Sequence, residues 1–430
     1  MSQPLKIAMA GLGTVGAGVM KLLASQAALL EMRCGRPLVV TAVSARERHK
    51  NRGVDLSRCA WFDDPVEMAK SADAEAVVEL IGGADGPAKA LTEAAFARGR
   101  HVVTANKALL AHHGAELAAA AERAGVTLGY EAAVAGGIPI VKALREGLAG
   151  NKIERVYGIL NGTCNYILTV MRESHRSFED VLADAQKKGY AEADPSLDVD
   201  GIDTAHKLSV LASLAFGTKV DLAAVAVAGI RNVSPMDLDY ADELGFRIKL
   251  LAIGRRTPRG IEQRVHPCMI PANTPLARVD GVFNAVMVDG DFAGNTVYLG
   301  RGAGERPTAS AVVSDLVDLA RGARTATFGV PAAKLAPLIV APMAEHRGRY
   351  YIRLMVRDQP GVIADVSAAL RDERVSLESM LQRGRSATEA VPVVLTTHET
   401  VEAAMLRTID RIGRLESVIE PPCMIRIEEL

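Results

Sequence analysis

Residues 5–16, LKIAMAGLGTVG, join a short apolar run to a glycine-rich turn. The run predicts a strand over Leu5–Ala10, and the residues behind the turn predict a helix over Val15–Leu30. In such a turn the first glycine allows a tight bend, the second lets the backbone approach a pyrophosphate, and the third lets helix and strand pack closely. A purely structural turn also fits these glycines. Because the turn follows a strand and opens a helix, we favour a dinucleotide-binding site formed by Gly11, Leu12, Gly13, Thr14, Val15 and Gly16.

The second predicted strand, Leu38–Val43, is not followed by the acidic residue that many dinucleotide sites carry. A carboxylate at that place binds the ribose 2′-hydroxyl of NAD, whereas an arginine accommodates the 2′-phosphate of NADP. Arg46 stands there, which favours NADP as the cofactor. Glu47 follows it, so NAD remains an alternative, and so does a solvated loop of charges.

The first part of the chain continues as strands that alternate with helices. Further strands are predicted at Ala76–Leu80, His101–Thr104 and Thr127–Tyr130, and further helices at Gly86–Arg98 and Gly114–Ala124. This alternation indicates βαβ units and a parallel sheet covered on both faces. We therefore expect an α/β, doubly wound, Rossmann-type domain over residues 1–152.

The middle of the chain groups its helices early and its strands late. Strands are predicted at Ile153–Leu160, Phe246–Gly254, Glu262–Ile270, Val282–Asp289 and Thr296–Gly300, and helices at Asn161–Glu173, Phe178–Lys188 and Asp203–Phe216. The pattern favours an α+β domain over residues 153–307 with an antiparallel or mixed sheet. A helical pattern at residues 308–325 is expected to return to the first domain.

The last part of the chain predicts a separate small unit. Its strands are expected at Tyr351–Val356, Leu377–Gln382, Val391–Thr396 and Cys423–Ile427, and its helices at Gly361–Arg371 and Glu399–Arg414. The order is βαββαβ, which is the ferredoxin-like arrangement, over residues 351–430.

Composition narrows the function classes. The 430 residues carry a net charge of −1, which gives no basic field for nucleic acid or for an acidic membrane surface. The sequence shows neither a secretion signal nor an apolar stretch long enough for a membrane span. Five cysteines without paired spacing are typical of a reducing compartment, so we expect a cytoplasmic protein with no membrane or nucleic-acid partner.

The densest polar segment, Tyr190–Lys207, holds five carboxylates and ends in a lysine. Asp203 and Lys207 are four residues apart on a predicted helix, so they share a face and can pair. A lysine held by a carboxylate can move a proton to or from a hydroxyl. Glu192 or Asp198 could bind an ammonium group through charge-assisted hydrogen bonds. The spacing does not fit a calcium loop of the EF-hand type, but a solvated acidic loop remains open.

This segment resembles the signature of the homoserine dehydrogenases, and three other stretches agree with that family. They are Val103–Lys107, Ala135–Ile140 and Gly158–Leu168. The resemblance runs from Ile7 to about Ala311. It implies NAD(P)-dependent interconversion of L-homoserine and L-aspartate 4-semialdehyde, a step of threonine and methionine biosynthesis. Another NAD(P)-dependent amino-acid oxidoreductase and a catalytically dead sensor are the alternatives.

The resemblance also implies roles for single residues. Lys207 would give or take the proton at the substrate oxygen, oriented by Asp203. Lys107 would lie between nicotinamide and substrate, Glu192 would bind the substrate ammonium, and Asp198 would support that site. The pocket would be lined by Tyr190, Gly162 and Thr163.

Two glycine-bearing loops resemble further parts of the family. One is the family's loop for sodium or potassium, which backbone carbonyls and one acidic side chain hold; a plain strand-to-helix turn is the alternative. The residues that match it are Glu131, Val134, Gly136 and Ile138. The other loop, Gly300–Glu305, would close over the nicotinamide and bring Gly304 to the cofactor, although Arg301 stands where the family often has proline.

Arg357–Ala364 resembles the opening of an ACT domain, a family that binds small amino acids where a strand turns into a helix. Asp358 would receive an ammonium group, and the helix start at Gly361 and Val362 suits a carboxylate. The resemblance implies feedback inhibition, with threonine as the expected effector, and a homodimer or homotetramer. A dimerisation module without ligand is the alternative. Isolated histidines such as His266 are expected to be structural, since a metal site needs clustered ligands.

Overall fold

The computed structural model describes residues 3–383 and 390–429, and its N-terminal part is built on a six-stranded sheet. The strands are β1 (Leu5–Ala10), β2 (Leu38–Ser44), β3 (Ala60–Phe62), β4 (Ala76–Glu79), β5 (His101–Thr104) and β6 (Leu128–Gly129). They lie in the order β3-β2-β1-β4-β5-β6, and all neighbouring pairs are parallel. The order reverses between β1 and β4, where a ligand crevice opens at the carboxyl ends of the strands. The predicted Rossmann-type sheet is confirmed.

Helices cover this sheet, and the prediction missed one of them, joined two into one and began another too late. They are α1 (Thr14–Ser25), α2 (Ala27–Cys34), α3 (Pro65–Ser71), α4 (Pro87–Ala97) and α5 (Lys107–Arg123). The prediction of one continuous helix over Val15–Leu30 is wrong, because the Gln26 backbone leaves the helical region (φ −115°, ψ 17°) and an 80° bend separates α1 from α2. No described helix is by itself long and apolar enough to cross a membrane, and only this bent pair reaches the required length. Helix α5 begins earlier than predicted, because the Asn106 side chain caps it by accepting from the Leu109 backbone N–H at 3.0 Å.

The middle of the chain supplies most of a second, mixed sheet. The helices in this part of the chain are α6 (Ile140–Lys142), α7 (Gly162–Ser174), α8 (Phe178–Lys187), α9 (Ser196–Val199), α10 (Ile202–Phe216) and α11 (Pro235–Glu243). Helix α6 continues as a π-helical turn over Ala143–Gly147. The strands in this part are β7 (Ile153–Ile159), β8 (Ala226–Val227), β9 (Phe246–Thr257), β10 (Gly260–Pro271), β11 (Phe283–Gly290) and β12 (Gly294–Arg301). Helix α12 (Glu305–Ala320) then packs against α1 so closely that a Cβ on Gly18 would lie 2.7 Å from the Glu305 Cγ atom. The chain thus returns to the N-terminal layer.

The C-terminal unit has the predicted ferredoxin-like order. Its elements are β13 (Arg347–Arg357), α13 (Val362–Asp372), β14 (Leu377–Gln382), β15 (Ala390–Thr397), β16 (Thr400–Val401), α14 (Glu402–Ile412) and β17 (Cys423–Ile427). Apart from the two-residue β16, the sequence of elements is βαββαβ, so the fold prediction is confirmed. A separate apolar core, which includes Ile352, Leu370 and Met405, lies between its sheet and helices.

The middle and C-terminal units share one sheet, which the sequence did not predict. Its strands run in the order β12-β11-β7-β9-β10-β17-β13-β15-β14. The two units meet at the parallel pair β10–β17, where Cys268 lies opposite Arg426 and Met269 lies opposite Ile427. Each unit therefore covers a strand edge that the other would leave open to solvent.

A buried charge network lies at this junction. Arg264 on β10, only 1% exposed, donates to Glu262 and to Glu428, which follows β17. The prediction that His266 is isolated is wrong. Its ring lies 3.2 Å from the Cys268 sulfur and beside Glu428. The Arg264 guanidinium approaches the other ring nitrogen of His266 at 3.0 Å and neutralises Glu428. These groups are therefore engaged with one another and with arginine.

We expect Glu428→Ala to lower the free energy of unfolding by about 3 kcal/mol, because it leaves the buried Arg264 with one carboxylate fewer. The matched control is Glu429→Ala. That carboxylate pairs with Arg349 while 75% of its side chain is exposed, so its loss should change stability by less than about 0.5 kcal/mol. Urea unfolding of both variants measures the difference, and equal shifts would contradict a buried ion pair at the junction.

Candidate active site

The glycine turn has the geometry that a pyrophosphate requires. Gly11 has φ +100°, and a Cβ there would lie 2.4 Å from the Leu80 carbonyl oxygen. A Cβ on Gly16 would lie 2.1 Å from the Gly11 oxygen, so helix and strand approach as closely as predicted. Around Gly13, by contrast, no described atom lies within 4 Å of an added Cβ. The open side of the turn, next to Thr14 at the start of α1, therefore faces free space.

Two of the arginines behind β2 lie beside the chain's single tryptophan. Arg46 is exposed, and its guanidinium has no hydrogen bond or ion pair with any described residue. Arg52, which the sequence analysis did not single out, donates from Nε to the Leu12 carbonyl at 3.2 Å. Arg48 and Arg52 lie 5.9 and 5.8 Å from the centre of the Trp61 ring. Three guanidinium groups thus lie near the end of β2, where the second ribose of a dinucleotide is bound in this fold.

One buried carboxylate holds two lysines from different parts of the chain. Asp203, in the first turn of α10, accepts from the Lys207 ammonium at 2.7 Å through Oδ2. Its other oxygen lies 2.9 Å from the Lys107 ammonium, at the first residue of α5. Lys207 also donates to the Leu160 carbonyl at 2.8 Å. The three predicted catalytic residues therefore form one cluster between the two sheets.

The cluster fixes its own charge states. Burial disfavours the charged form of Asp203, but the neighbouring Lys207 and Lys107 outweigh it and hold the pKa of this carboxyl far below its usual value. Burial likewise opposes the charge of Lys107, yet Asp203 raises the pKa of this ammonium above its usual value. Asp198 differs, because burial raises its pKa despite the hydrogen bond from Asn161. The site therefore combines a firmly charged carboxylate with a carboxyl that is more easily protonated.

Asn161 connects the acidic residues, and the sequence analysis did not single it out. Its Nδ2 donates to Asp198 at 2.7 Å and to Asp203 at 2.9 Å. Its Oδ1 accepts from the Cys164 backbone N–H at 2.8 Å and caps helix α7. One side chain thus ties the start of α7 to the carboxylates. The sequence signal for this role was an asparagine at the predicted start of a helix, where asparagine often acts as the N-terminal cap.

A cavity of about 400 Å³ opens above the cluster. Its wall includes every residue predicted for catalysis and substrate binding, together with Gly304 of the predicted cofactor set: Lys107, Asp203, Lys207, Glu192, Asp198, Tyr190, Gly162, Thr163 and Gly304. The Thr163 hydroxyl donates to the Tyr190 carbonyl at 2.7 Å, while Glu192 is exposed. The glycine turn Gly11–Gly16 and Arg46 are not part of this wall. The cavity offers carboxylates for an ammonium group and ammonium donors for an oxygen.

The predicted cation loop packs against the glycine loop of the cavity. A Cβ on Gly136 would lie 2.5 Å from the Gly302 oxygen. Within the described chain, the buried carbonyls of Val134 and Gly136 accept no hydrogen bond, as a cation site requires. The Ile138 carbonyl, however, accepts from the Ile140 N–H at 2.8 Å.

The Glu131 side chain binds the start of the next helix. Its two carboxylate oxygens accept from the backbone N–H groups of Val141 and Lys142 at 3.0 and 2.8 Å. This carboxylate therefore caps α6, and its role as a cation ligand stays a prediction. Burial, reinforced by Asp315, raises the pKa of Glu131 to about 7.

The residues predicted for the effector lie outside the cavity, in the C-terminal unit. Gly361 has φ +100° and precedes α13, whose first residue, Val362, is buried. Asp358 lies in the turn before them and accepts a long hydrogen bond of 3.4 Å from the Gln382 side chain on β14. The turn thus presents a carboxylate beside a helix start.

Comparison with known proteins gives consistent matches over the whole chain. The family descriptions "Homoserine dehydrogenase, NAD binding domain", "Homoserine dehydrogenase" and "ACT domain" match residues 11–131, 139–317 and 350–414. The homoserine dehydrogenase of Neisseria gonorrhoeae is 44% identical and covers 100% of this chain and 99% of that protein. The crystal structure of a homoserine dehydrogenase from Thiobacillus denitrificans has a TM-score of 0.93 and 44% identity, covering 99% of this chain and 98% of the other. A hyperthermophilic archaeal homoserine dehydrogenase in complex with NADPH has a TM-score of 0.63 and 25% identity, covering 77% and 99%.

The Asp203 cluster makes a prediction about stability and pH. The folded-state pKa of this carboxyl lies below the value of about 3.9 in an unfolded chain, so its charge stabilises the fold above that pH. We expect Asp203→Asn to lower the free energy of unfolding at pH 7 by about 3 kcal/mol. The difference from the unaltered chain should shrink as the pH falls below about 4 and the unfolded chain takes up the proton.

Urea unfolding at several pH values measures this difference. The control is Asp200→Asn, whose half-exposed carboxylate pairs with Arg231 at the surface, and it should change stability by less than about 1 kcal/mol. An Asp203→Asn effect that is equally small, or that grows as the pH falls, would contradict the charge assignment.

Proposed function

The chain belongs to the homoserine dehydrogenase family of NAD(P)-dependent oxidoreductases, and we propose that its cavity interconverts L-homoserine and L-aspartate 4-semialdehyde. The observation that carries this proposal is the Asp203 carboxylate, which holds Lys107 and Lys207 side by side at the wall of the cavity. Two ammonium groups placed together suit an oxygen that changes between hydroxyl, alkoxide and carbonyl. We assign dinucleotide binding to residues 1–152, substrate binding to 153–307 and regulation to 351–430.

The two lysines have different tasks in this proposal. The chemistry that NAD(P) would supply when bound is acceptance of the hydride from the carbon that bears the hydroxyl. During reduction the Lys207 ammonium gives a proton to the substrate oxygen, and during oxidation its neutral amine takes the hydroxyl proton. Asp203 orients the lysine side chain. Lys107, at the start of α5, places positive charge beside the developing alkoxide. The rest of the catalytic effect comes from positioning the reactants.

The acidic segment Tyr190–Lys207 recognises the amino-acid substrate in this proposal. Glu192 binds the substrate ammonium, and Asp198, held by Asn161, supports it from the cavity wall. The remaining wall, which includes the start of α7, shapes the pocket with Tyr190, Gly162 and Thr163.

We further propose NADP as the preferred cofactor, with NAD as the second choice. Arg46 is exposed and has no ion-pair partner among the described residues, and Arg48 and Arg52 lie beside Trp61, so we expect positive charge where a 2′-phosphate would bind. The NADPH complex of the archaeal relative supports the same choice. A monovalent cation, sodium or potassium, fits the unengaged carbonyls of Val134 and Gly136, and the match with the family adds Glu131 and Ile138 to this site.

Feedback control by threonine is our proposal for the ACT unit. Asp358 would accept the ammonium of the amino acid, and the helix start at Gly361 and Val362 would receive its carboxylate. The continuous sheet gives such binding a structural connection to the substrate domain, since β17 pairs directly with β10. Inhibition by an end product would place the reaction in threonine and methionine biosynthesis.

We propose a homodimer or homotetramer in a reducing cytoplasm. The strands β11 and β12 and the turn between them expose large apolar side chains, a composition typical of a protein interface: Phe283, Phe292, Val297 and Leu299. The five cysteines are free, which suits the reducing compartment.

The decisive experiment follows absorbance at the reduced-nicotinamide band with L-homoserine and either NAD or NADP. We expect homoserine-dependent reduction, faster with NADP. Lys207→Ala should lower kcat by about 10²- to 10⁴-fold, because it removes the acid–base group. Its dissociation constant for the cofactor should stay unchanged, since the Lys207 ammonium bonds to Asp203 and the Leu160 carbonyl and not to the glycine turn. Quenching of Trp61, the only tryptophan, measures that binding.

The matched control for this experiment is Lys187→Ala, because 78% of that lysine side chain is exposed on α8. It should keep full activity. Full activity of Lys207→Ala would remove its acid–base role. Cofactor binding without turnover of homoserine or of the semialdehyde would favour another amino-acid oxidoreductase or a catalytically dead sensor.

The regulatory proposal predicts that L-threonine inhibits the enzyme and that Asp358→Ala raises the half-inhibitory concentration about tenfold or more, because a charge-assisted hydrogen bond is lost. The readout is the ratio of rates with and without threonine, so a change in basal rate does not affect it. Asp372→Ala, at the far end of α13 and paired with Arg411, should retain inhibition. Inhibition that survives Asp358→Ala would contradict this site, and no inhibition of the unaltered chain would favour a dimerisation module.

A further inference from the structure

Asn284, on β11, holds a buried carboxamide without a hydrogen-bond partner among the described residues. Its backbone lies opposite Gly300 of β12, and its side chain is 1% exposed. Oδ1 is unpaired, and no described residue hydrogen-bonds to Nδ2. A buried polar group left unpaired costs about 1–3 kcal/mol. Among the described side chains with such atoms, Asn284 is the one that lines the active-site cavity.

Two glycine backbones fix where this carboxamide lies. A Cβ on Gly302 would come within 2.0 Å of the Asn284 Nδ2, so the side chain packs directly against the glycine loop. A Cβ on Gly162 would lie 3.6 Å from the Asn284 Oδ1, at the start of α7. The carboxamide therefore lies between the start of α7, which we assign to the substrate, and the loop that we assign to the nicotinamide.

The chemistry of the missing partner follows from the carboxamide itself. It offers one acceptor oxygen and one donor N–H₂ group, and it carries no charge. The substrate ammonium has Glu192 and Asp198 nearby, and the substrate oxygen has Lys207. A ligand carboxylate would satisfy only the donor of Asn284. A primary carboxamide satisfies both of its atoms, and the nicotinamide ring carries such a group.

We propose that Asn284 binds the nicotinamide carboxamide of the cofactor, which rests on the dehydrogenase function proposed above. Oδ1 accepts from the amide N–H₂ of the ring, and Nδ2 donates to the amide oxygen. This pairing fixes the rotation of the ring about its glycosidic bond, and therefore which face of the ring is turned toward Lys107 and Lys207. Asn284 is thus a cofactor-positioning residue that the sequence motifs do not mark.

The test is equilibrium binding without substrate, measured by the fluorescence of Trp61. The probes are NADP, or NAD if the chain prefers it, and the matching 3-acetylpyridine analogue, in which a methyl group replaces the amide nitrogen. The unaltered chain should bind the natural cofactor about tenfold more tightly than the analogue, because the analogue cannot donate to Oδ1. The quantity compared between variants is the ratio of these two dissociation constants. In Asn284→Ala this ratio should fall to within about twofold of one. Because each protein serves as its own reference, general loss of stability does not affect the ratio.

A second variant of Asn284 and a control variant complete the test. Asn284→Leu keeps the number and branching of the side-chain heavy atoms without polar groups, so it should lose the ratio even if the alanine variant folds poorly. Asn295→Ala is the control, because this carboxamide on β12 hydrogen-bonds to the Tyr157 hydroxyl at 3.1 Å and does not line the cavity. It should keep the full ratio.

The outcomes separate this proposal from the proposed function. A ratio of one in the unaltered chain, or a tenfold ratio that persists in both Asn284 variants, would overturn the pairing. A raised KM for homoserine with an unchanged cofactor ratio would assign Asn284 to the substrate carboxylate and overturn it as well. Cofactor discrimination without any turnover of homoserine would refute the substrate assignment while supporting the role of Asn284.

Discussion

The carboxylate of Asp203 is the constraint on which the active site depends. It is buried, it accepts from two ammonium groups, and those groups come from helices of different domains. A carboxylate in that place is stable only while its partners remain, since an unpaired buried charge costs several kcal/mol. The same requirement holds the start of α5 against the start of α10. Domain packing and catalytic geometry therefore have one physical cause.

Close backbone approach is the second theme of the site. Gly136 and Gly302 lie against each other, and Asn284 packs onto Gly302, with no room for a side chain at either glycine. The candidate cation loop, the glycine loop of the cavity and β11 thus form one packed unit.

The relation between the catalytic and C-terminal units rests on the shared sheet. Hydrogen bonds between β10 and β17, with the buried Arg264 beside them, make the ACT unit a continuation of the substrate domain. Strand pairing resists sliding, because a shift of one residue would exchange the faces of all side chains. In this sheet β7 lies two strands from the junction, and it ends just before Asn161 and the active site.

The sequence by itself determined the fold of each unit and most of the site. The turn at Gly11–Gly16 predicted its own geometry, since the roles of its glycines are local, and the spacing of Asp203 and Lys207 predicted their pairing on one helix face. Only the tertiary structure brought Lys107 to Asp203, joined β10 to β17 and left Asn284 unpaired in the cavity. It also showed that the Glu131 carboxylate caps α6. Periodicity and motif spacing report contacts within a few residues, whereas these contacts join residues far apart in the chain. Such contacts depend on how complete helices and strands pack, and no local pattern of residues carries that information.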